Sequence, residues 1–333
     1  MIARIRRART FWFISKYAFS TTPWRIAVSL RMLRKSSSAA PCASTRICMP
    51  LLRYHPAAPL GHYVECLWWS RRDAAQLHWE HMLPSGKVHL VIALHEHPLL
   101  CLPSSSDNAT HWSGAVVHGP QSAYYVAGPK PAGAVVGVSF RAGAASAVLG
   151  IPVAALTDRH LSLEDLWGQR ARTLQEQLMA APDPATLFRL LEQNLTRQIE
   201  KPLLMHPAVA QSLFHRAPWS SDWNSNVLQA SGYSPRHFIA LFRSAVGLAP
   251  KHFQRIQRFN QAVQLIASAE RSSLADVGAR CGYADQAHLS REFRLLSGIS
   301  PTQYRPRHGS PLHHESAHPP MRQVKNIQDR RRE

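Results

Sequence analysis

The feature that most constrains this chain is a short unit written twice near its C-terminus. Gly232-Tyr233 opens one copy and Gly282-Tyr283 opens the other. The second copy gains one residue after Gly-Tyr, and from there the two keep step. Phe238 answers Leu289, Phe242 answers Phe293 and Arg243 answers Arg294. Gly247-Leu248-Ala249-Pro250 answers Gly298-Ile299-Ser300-Pro301, and Phe253 answers Tyr304. Two copies of one short helical unit in a chain of net charge +19 point to a protein that grips DNA twice.

Each copy reads as helix, tight turn, helix. In the second, Ser273 caps a short helix with Leu274, Val277 and Cys281 on one face. Gly282 supplies a turn where positive φ is cheap, and Asp285 caps the next helix. At about 100° per residue, Leu289, Phe293 and Leu296 fall on one side of that helix. Gln286, Ala287, Ser290, Arg291 and Arg294 fall on the other. In the first copy, Ser234-Pro235 is a cap with Pro at the first helical position. Phe238, Leu241 and Phe242 face inward, while Arg236, Ala240 and Arg243 face outward, with His237 beside them. Between the copies, the spacing of Phe253, Ile256, Val263 and Ile266 predicts one long helix over Pro250–Ser268. Such a helix can hold both recognition helices on one face, ready for major grooves about 34 Å apart. Arg reads guanine and Gln reads adenine at base edges, whereas Lys and Arg also hold phosphates.

Charge alone does not carry this reading. Lys and Arg number 39 against 20 Asp and Glu in 333 residues, but residues 1–50 hold ten bases and no acid. The remainder carries a surplus of only nine. Residues 1–48 read as a disordered, transit-peptide-like basic arm, or as a product of a misplaced start with Met49 as the initiator. The five Cys are scattered, with no CxxC pair, which supports neither a disulfide framework nor a zinc ribbon. A reducing cytoplasm is the simpler expectation. No apolar run is long enough for a membrane span.

Residues 49–170 are expected to be β-rich. Tyr63–Trp69, Lys87–Leu94 and Ala134–Phe140 are strand candidates, with Pro84-Ser85-Gly86 a turn. Short strands broken by Gly and Pro suggest a barrel or sandwich. Residues 171–206 read as a helical linker. Within it Leu187, Phe188, Leu191, Leu195 and Ile199 make a stripe that fits either a core-facing helix or a dimer seam. The domain with two helix-turn-helix units covers 207–306, and a basic tail, expected to be disordered, covers 307–333. The fold class is α+β: a barrel-like β domain followed by helices, then an all-α domain.

The run Asp285-Gln286-Ala287-His288-Leu289-Ser290-Arg291-Glu292-Phe293, with Gly298-Ile299-Ser300-Pro301 and Tyr304-Arg305, resembles the signature of the AraC/XylS family of bacterial transcription regulators. Gly232-Tyr233-Ser234-Pro235-Arg236-His237-Phe238 looks like that family's first unit. The resemblance covers about 100 residues and implies a seven-helix DNA-binding domain. It implies base contacts from Arg236 in the first unit and from Gln286, Ala287 and Arg291 in the second. It further implies double-stranded DNA and RNA polymerase as partners, together with a small-molecule effector and a homodimer. No catalytic residue, cofactor, metal or membrane partner is expected. Two departures weaken base reading by the first unit. Ala240 stands where the family usually has Arg, and Trp219–Asn224 is less apolar than the family's first helix. In the N-terminal half, Arg53-Tyr54-His55-Pro56, Leu83-Pro84-Ser85-Gly86, Gly119-Pro120-Gln121 and Phe140-Arg141-Ala142-Gly143 recur in that order in a β-rich domain of unassigned function. That domain is similar to the cupin-like sensor domains of AraC-type regulators.

His78, His81, His89, His95 and His97 crowd the β-rich region. His95-Glu96-His97 has the cupin His-x-His spacing, and alternate residues of a strand share a face. The alternative function is therefore a cupin-type metal-binding enzyme or sensor with a DNA-binding tail, although Pro98 argues for a strand end there. No P-loop, G-x-S-x-G or H-E-x-x-H motif occurs. Cys66 and Cys101 stand isolated in the sequence, and Cys281 reads as core.

Overall fold

The computed structural model describes residues 51–73, 75, 79–103, 109–199, 205–213, 232–268 and 272–304. The basic arm 1–48, Trp219–Asn224, His78 and the tail 307–333 lie outside the described residues.

Ten short strands build the N-terminal region: β1 (Leu51–Tyr54), β2 (Val64–Arg72), β3 (Glu80–Met82), β4 (His89–Ala93) and β5 (Leu99–Pro103), then β6 (Thr110–Trp112), β7 (Ala115–His118), β8 (Tyr125–Ala127), β9 (Gly133–Phe140) and β10 (His160–Ser162). They form a six-stranded sheet in the order β1-β2-β9-β4-β7-β10 and a four-stranded sheet in the order β3-β8-β5-β6. Every pairing is antiparallel. The barrel expectation is corrected here. β1 and β10 sit at opposite edges of one sheet and do not pair with each other, so neither sheet closes. The α+β class itself holds.

Strand alternation splits the larger sheet into two faces. Leu67, Leu90, Ile92, Val117, Val136 and Phe140 face a core shared with helices Gln169–Met179 and Pro184–Gln198. Trp68, Ser70, Val91, His118 and Val135 face a cavity lined also by residues of the smaller sheet. The helix over Pro184–Gln198 starts where the side chain of Asp183 accepts from the N–H groups of Ala185 and Thr186, with Pro184 at the first turn. Its Leu187, Phe188, Leu191 and Leu195 are buried within the chain, Phe188 stacking on Tyr54 at 5.8 Å. The stripe is therefore core and leaves no seam for a partner. Segment 171–206, expected as a linker, contributes Ala171, Leu174 and Leu178 to the same core.

A second core belongs to the C-terminal helices. Phe242, Ile256, Phe259, Val277, Leu289 and Phe293 meet there, Phe259 and Phe293 edge to face at 5.0 Å. Each such side chain contributes about 1.5–3 kcal/mol by leaving water. Leu83 joins this core from the β region, so the two regions touch.

Candidate nucleic-acid interface

The first recognition helix is Pro235–Val246. Ser234 accepts from the His237 N–H, Pro235 opens the helix, and Gly247 ends it at φ 86°. Phe238, Phe242 and Val246 are buried. Arg236, His237, Ala240 and Arg243 are exposed. The helix expected to precede it lies outside the described residues.

The second unit is complete. Its first helix, Leu274–Arg280, opens with a capping box in which Ser273 and Asp276 satisfy each other's backbone N–H. Cys281 follows, fully buried, its thiol pushed up to about 11 by burial. Gly282 takes φ 73° at the turn. Asp285 accepts from the His288 N–H and starts the second recognition helix, Gln286–Ser297, which Gly298 ends at φ 76°. Gln286, Ala287, Arg291 and Arg294 are exposed and Ser290 is partly buried. All nine residues expected at the interface therefore lie on the outer faces or rims of the two helices.

Between them runs the expected long helix, Pro250–Ala267. It grips the second recognition helix through Glu292, a contact that the sequence reading passed over. Glu292 is 5% exposed and takes Arg255 Nε at 2.9 Å and Arg258 Nη2 at 2.6 Å, with His288 Nε2 at 3.3 Å. Arg258 also lies over the Tyr283 ring at 4.5 Å. Burial, and next the Glu292 charge, raise the Tyr283 phenol above its usual range. One buried carboxylate thus fixes two cations and the helix that carries Arg291. The available signal was position: Glu292 falls between Leu289 and Phe293 on the inner side.

Both recognition helices end against the β region. Thr157 donates its hydroxyl to the Gly247 carbonyl at 2.6 Å. His81 Nδ1 lies 2.7 Å from the Ser297 carbonyl and donates to it, and its ring stacks on Tyr124 at 4.5 Å. A Cβ at Gly247 would come within 2.7 Å of Pro120, and one at Gly298 within 2.6 Å of Tyr124. The linking helix docks too, with Gln257 donating to the Ser85 carbonyl at 3.1 Å and His252 meeting the Ser122 carbonyl at 3.1 Å. Tyr124 faces Ser290, Arg291 and Arg294 across a shallow cleft. Neither Thr157 nor His81 was singled out as a docking residue from the sequence, because these contacts span 90 and 216 residues.

Residues 227–307 match a helix-turn-helix domain family, and residues 52–162 match a domain of unknown function, DUF6597. Its C-terminal domain is similar to those of AraC-type transcription regulators. It is 33% identical over 126 residues to the arabinose operon regulatory protein of Escherichia coli (strain K12), covering 35% of this chain and 43% of that one. It is 35% identical over 128 residues to the arabinose operon regulatory protein of Salmonella typhimurium, covering 35% and 44%. The chain thus matches less than half the length of these relatives. The crystal structure of ToxT from Vibrio cholerae O395 overlays 78% of this chain and 96% of its own at 8% identity, a loose likeness with a TM-score of 0.39.

The cavity between the sheets has a volume of about 220 Å³. Its walls include Trp68, Met82, Val91 and Tyr125, and its charged lining is Arg53, Arg72 and Lys130. Lys130 pairs with Glu80. Burial lowers the Lys130 ammonium, Glu80 opposes that, and Arg72 lowers it further. His95-Glu96-His97 does not build the metal pair that the alternative reading requires. β4 ends at Ala93, so the three residues lie in the turn before β5 and lose strand alternation. Their rings stand 5.9 Å apart, His97 is exposed, and only His95 lines the cavity. Among the described residues no helix is long and apolar enough to cross a membrane.

Proposed function

We propose that the chain regulates transcription by inserting the helices Pro235–Val246 and Gln286–Ser297 into successive major grooves of double-stranded DNA. The observation that carries this is the pair itself: two capped helices with apolar inner faces and cationic outer faces, joined by one helix. Arg291, Gln286 and Ala287 read bases. Arg236 and His237 add contacts from the first unit, where Ala240 offers only a small apolar surface. Arg243 and Arg294, one turn further along, hold phosphates, and Ser290 rims the second helix. The chain acts by binding, without catalysis, in the cytoplasm, with RNA polymerase and a second copy as further partners. Selecting bound sites from random DNA tests the reading. A single enriched motif supports it, and binding without any sequence preference makes the chain an architectural protein instead.

A specific observation favours an effector in the N-terminal cavity. Three cations, Arg53, Arg72 and Lys130, line a largely apolar cavity, and Glu80 pairs with Lys130. Such a site suits a small organic anion with an apolar body. β3 and β8 link that site to DNA binding. Met82 and Tyr125 line the cavity, while their neighbours His81 and Tyr124 touch the end of the second recognition helix.

A further inference from the structure

Cys101, standing alone in the sequence, has company in space. It sits on β5 of the smaller sheet, while His118 on β7 and His160 on β10 belong to the larger one. One ligand atom from each of the three lies within 4.8 Å of the others. His118 and His160 are direct partners in the β7–β10 register, so their side chains leave the sheet on the same face. Their Nδ1 atoms are 2.8 Å apart. A contact that short needs one hydrogen between two nitrogens, so at least one of them presents a bare lone pair. Tyr125 fixes both rings, stacked on His118 at 5.2 Å and edge-on to His160 at 4.6 Å.

We propose that Cys101, His118 and His160 form a zinc site on the wall of the inter-sheet cavity. One thiolate and two imidazoles suit a borderline-soft ion such as Zn²⁺ and not the oxygen-seeking Mg²⁺ or Ca²⁺. Tetrahedral bonds of about 2.0–2.3 Å place ligand atoms roughly 3.5 Å apart, so a shared ion parts the two Nδ1 atoms, 2.8 Å apart without it, and draws the Cys101 sulfur inward. Cys101 and His118 line the cavity, which leaves the fourth position open to water or to a donor atom of a cavity ligand. Binding converts the Cys101 thiol to thiolate and releases its proton to solvent. The ion ties β5 to β7 and β10, and so joins the two sheets. β10 starts three residues after Thr157, the residue that caps the first recognition helix, so the tie reaches the DNA-binding region.

The test is Co²⁺ added to chelator-treated full-length protein, followed by Zn²⁺ displacement. We expect one ion per chain, tetrahedral d–d absorption and a thiolate-to-cobalt charge-transfer band. Cys101→Ser should abolish that band and weaken Zn²⁺ binding more than about tenfold. His160→Asn should weaken binding similarly, which keeps the idea testable if the buried Cys101→Ser variant fails to fold. A Cys42→Ser/Cys48→Ser double variant and a His95→Ala/His97→Ala double variant should both retain the site. Folded wild-type protein without the charge-transfer band overturns the proposal. So does a band that survives Cys101→Ser, or one that vanishes in either control.

Discussion

The two recognition helices begin and end alike but are held differently. Each starts at a side-chain cap and stops at a glycine with positive φ, and each docks its last turn on the β region. Behind the first helix lies an apolar wall in which Phe242 meets Phe238 at 5.9 Å and Phe253 at 5.6 Å. Behind the second, Glu292 joins Arg255 and Arg258 within an otherwise apolar core. The outer faces differ as well, since Arg291 has Ala240 as its counterpart. The helix whose outer face carries Arg291 is also the one whose rotation is fixed by directional charge pairs. Apolar packing tolerates small rotations, whereas a carboxylate with two guanidinium partners does not. A base-reading side chain needs that precision more than a phosphate-holding one.

The largest effect that tests this contrast is in the cores. Phe242→Ala should destabilise by about 3–5 kcal/mol, through lost burial and a cavity. Glu292→Gln should cost about 3 kcal/mol, since it leaves Arg258 short of a partner in a buried setting. Arg255 is 38% exposed and recovers some solvation, which keeps the figure near the low end. Denaturant titration of the full chain measures both. A cost under about 1 kcal/mol for Glu292→Gln would mean that the charge pairs do not hold the second helix.

Next comes the outer surface. Arg291→Ala should weaken binding to the selected site by about 1–3 kcal/mol and relax preference at particular base pairs. Arg294→Ala or Arg243→Ala should weaken all sequences alike and lower the salt slope by about one unit. Titrations on selected and scrambled DNA at several salt concentrations separate the two classes. Equal losses on both DNAs for Arg291→Ala, with altered preference for Arg294→Ala, would reverse these roles.

What was legible in the sequence follows from how local each device is. Ser234, Ser273 and Asp285 cap helices through N–H groups three residues away, so short-range chemistry was enough to place them. Gly282 and Gly298 mark turns for the same reason. Leu187, Phe188, Leu191 and Leu195 were legible as a stripe, but what covers them depends on a sheet over 40 residues upstream. His118 and His160 meet only through the β7–β10 register, and Cys101 reaches them from another sheet. His95 and His97 have the spacing of a strand, but Pro98 marks a strand end, and β4 has ended at Ala93. Glu292 falls on the inner side by its position, but its two Arg partners come from the long helix, 34 and 37 residues upstream.

The glycine ends give a smaller test. Gly247→Ala and Gly298→Ala each force an L side chain into the left-handed region, at about 1–2 kcal/mol from the backbone alone. Each also drives a Cβ against the β region, within 2.7 Å of Pro120 or 2.6 Å of Tyr124. Neither Pro120 nor the stacked Tyr124 ring yields easily, so docking should loosen as well as stability fall. Hydrogen exchange would register this as faster exchange in β3 and β8 for Gly298→Ala, and around Thr157 for Gly247→Ala. Exchange confined to the mutated helix would show that the two ends do not depend on the β region.

The smallest effect is a pH dependence carried by His81. Burial lowers its pKa below the ordinary histidine value near 6.5, and the bond to the Ser297 carbonyl only partly opposes this. In the folded chain the ring therefore stays neutral where the unfolded chain is already protonated. Between pH 6.5 and the lowered folded value, the unfolded state binds more protons, so stability falls as pH falls through that window. Above it the group has no effect. The loss belongs to the second recognition helix, because His81 touches its last turn, whereas the hydroxyl of Thr157 at the first does not titrate. His81→Gln keeps a donor for the Ser297 carbonyl and removes the titration. Stability measured from pH 7.5 to 5.5 should fall less steeply in that variant than in the wild type, while Thr157→Ser leaves the slope unchanged. Parallel slopes in the wild type and His81→Gln would show that the two helix ends respond to acid alike.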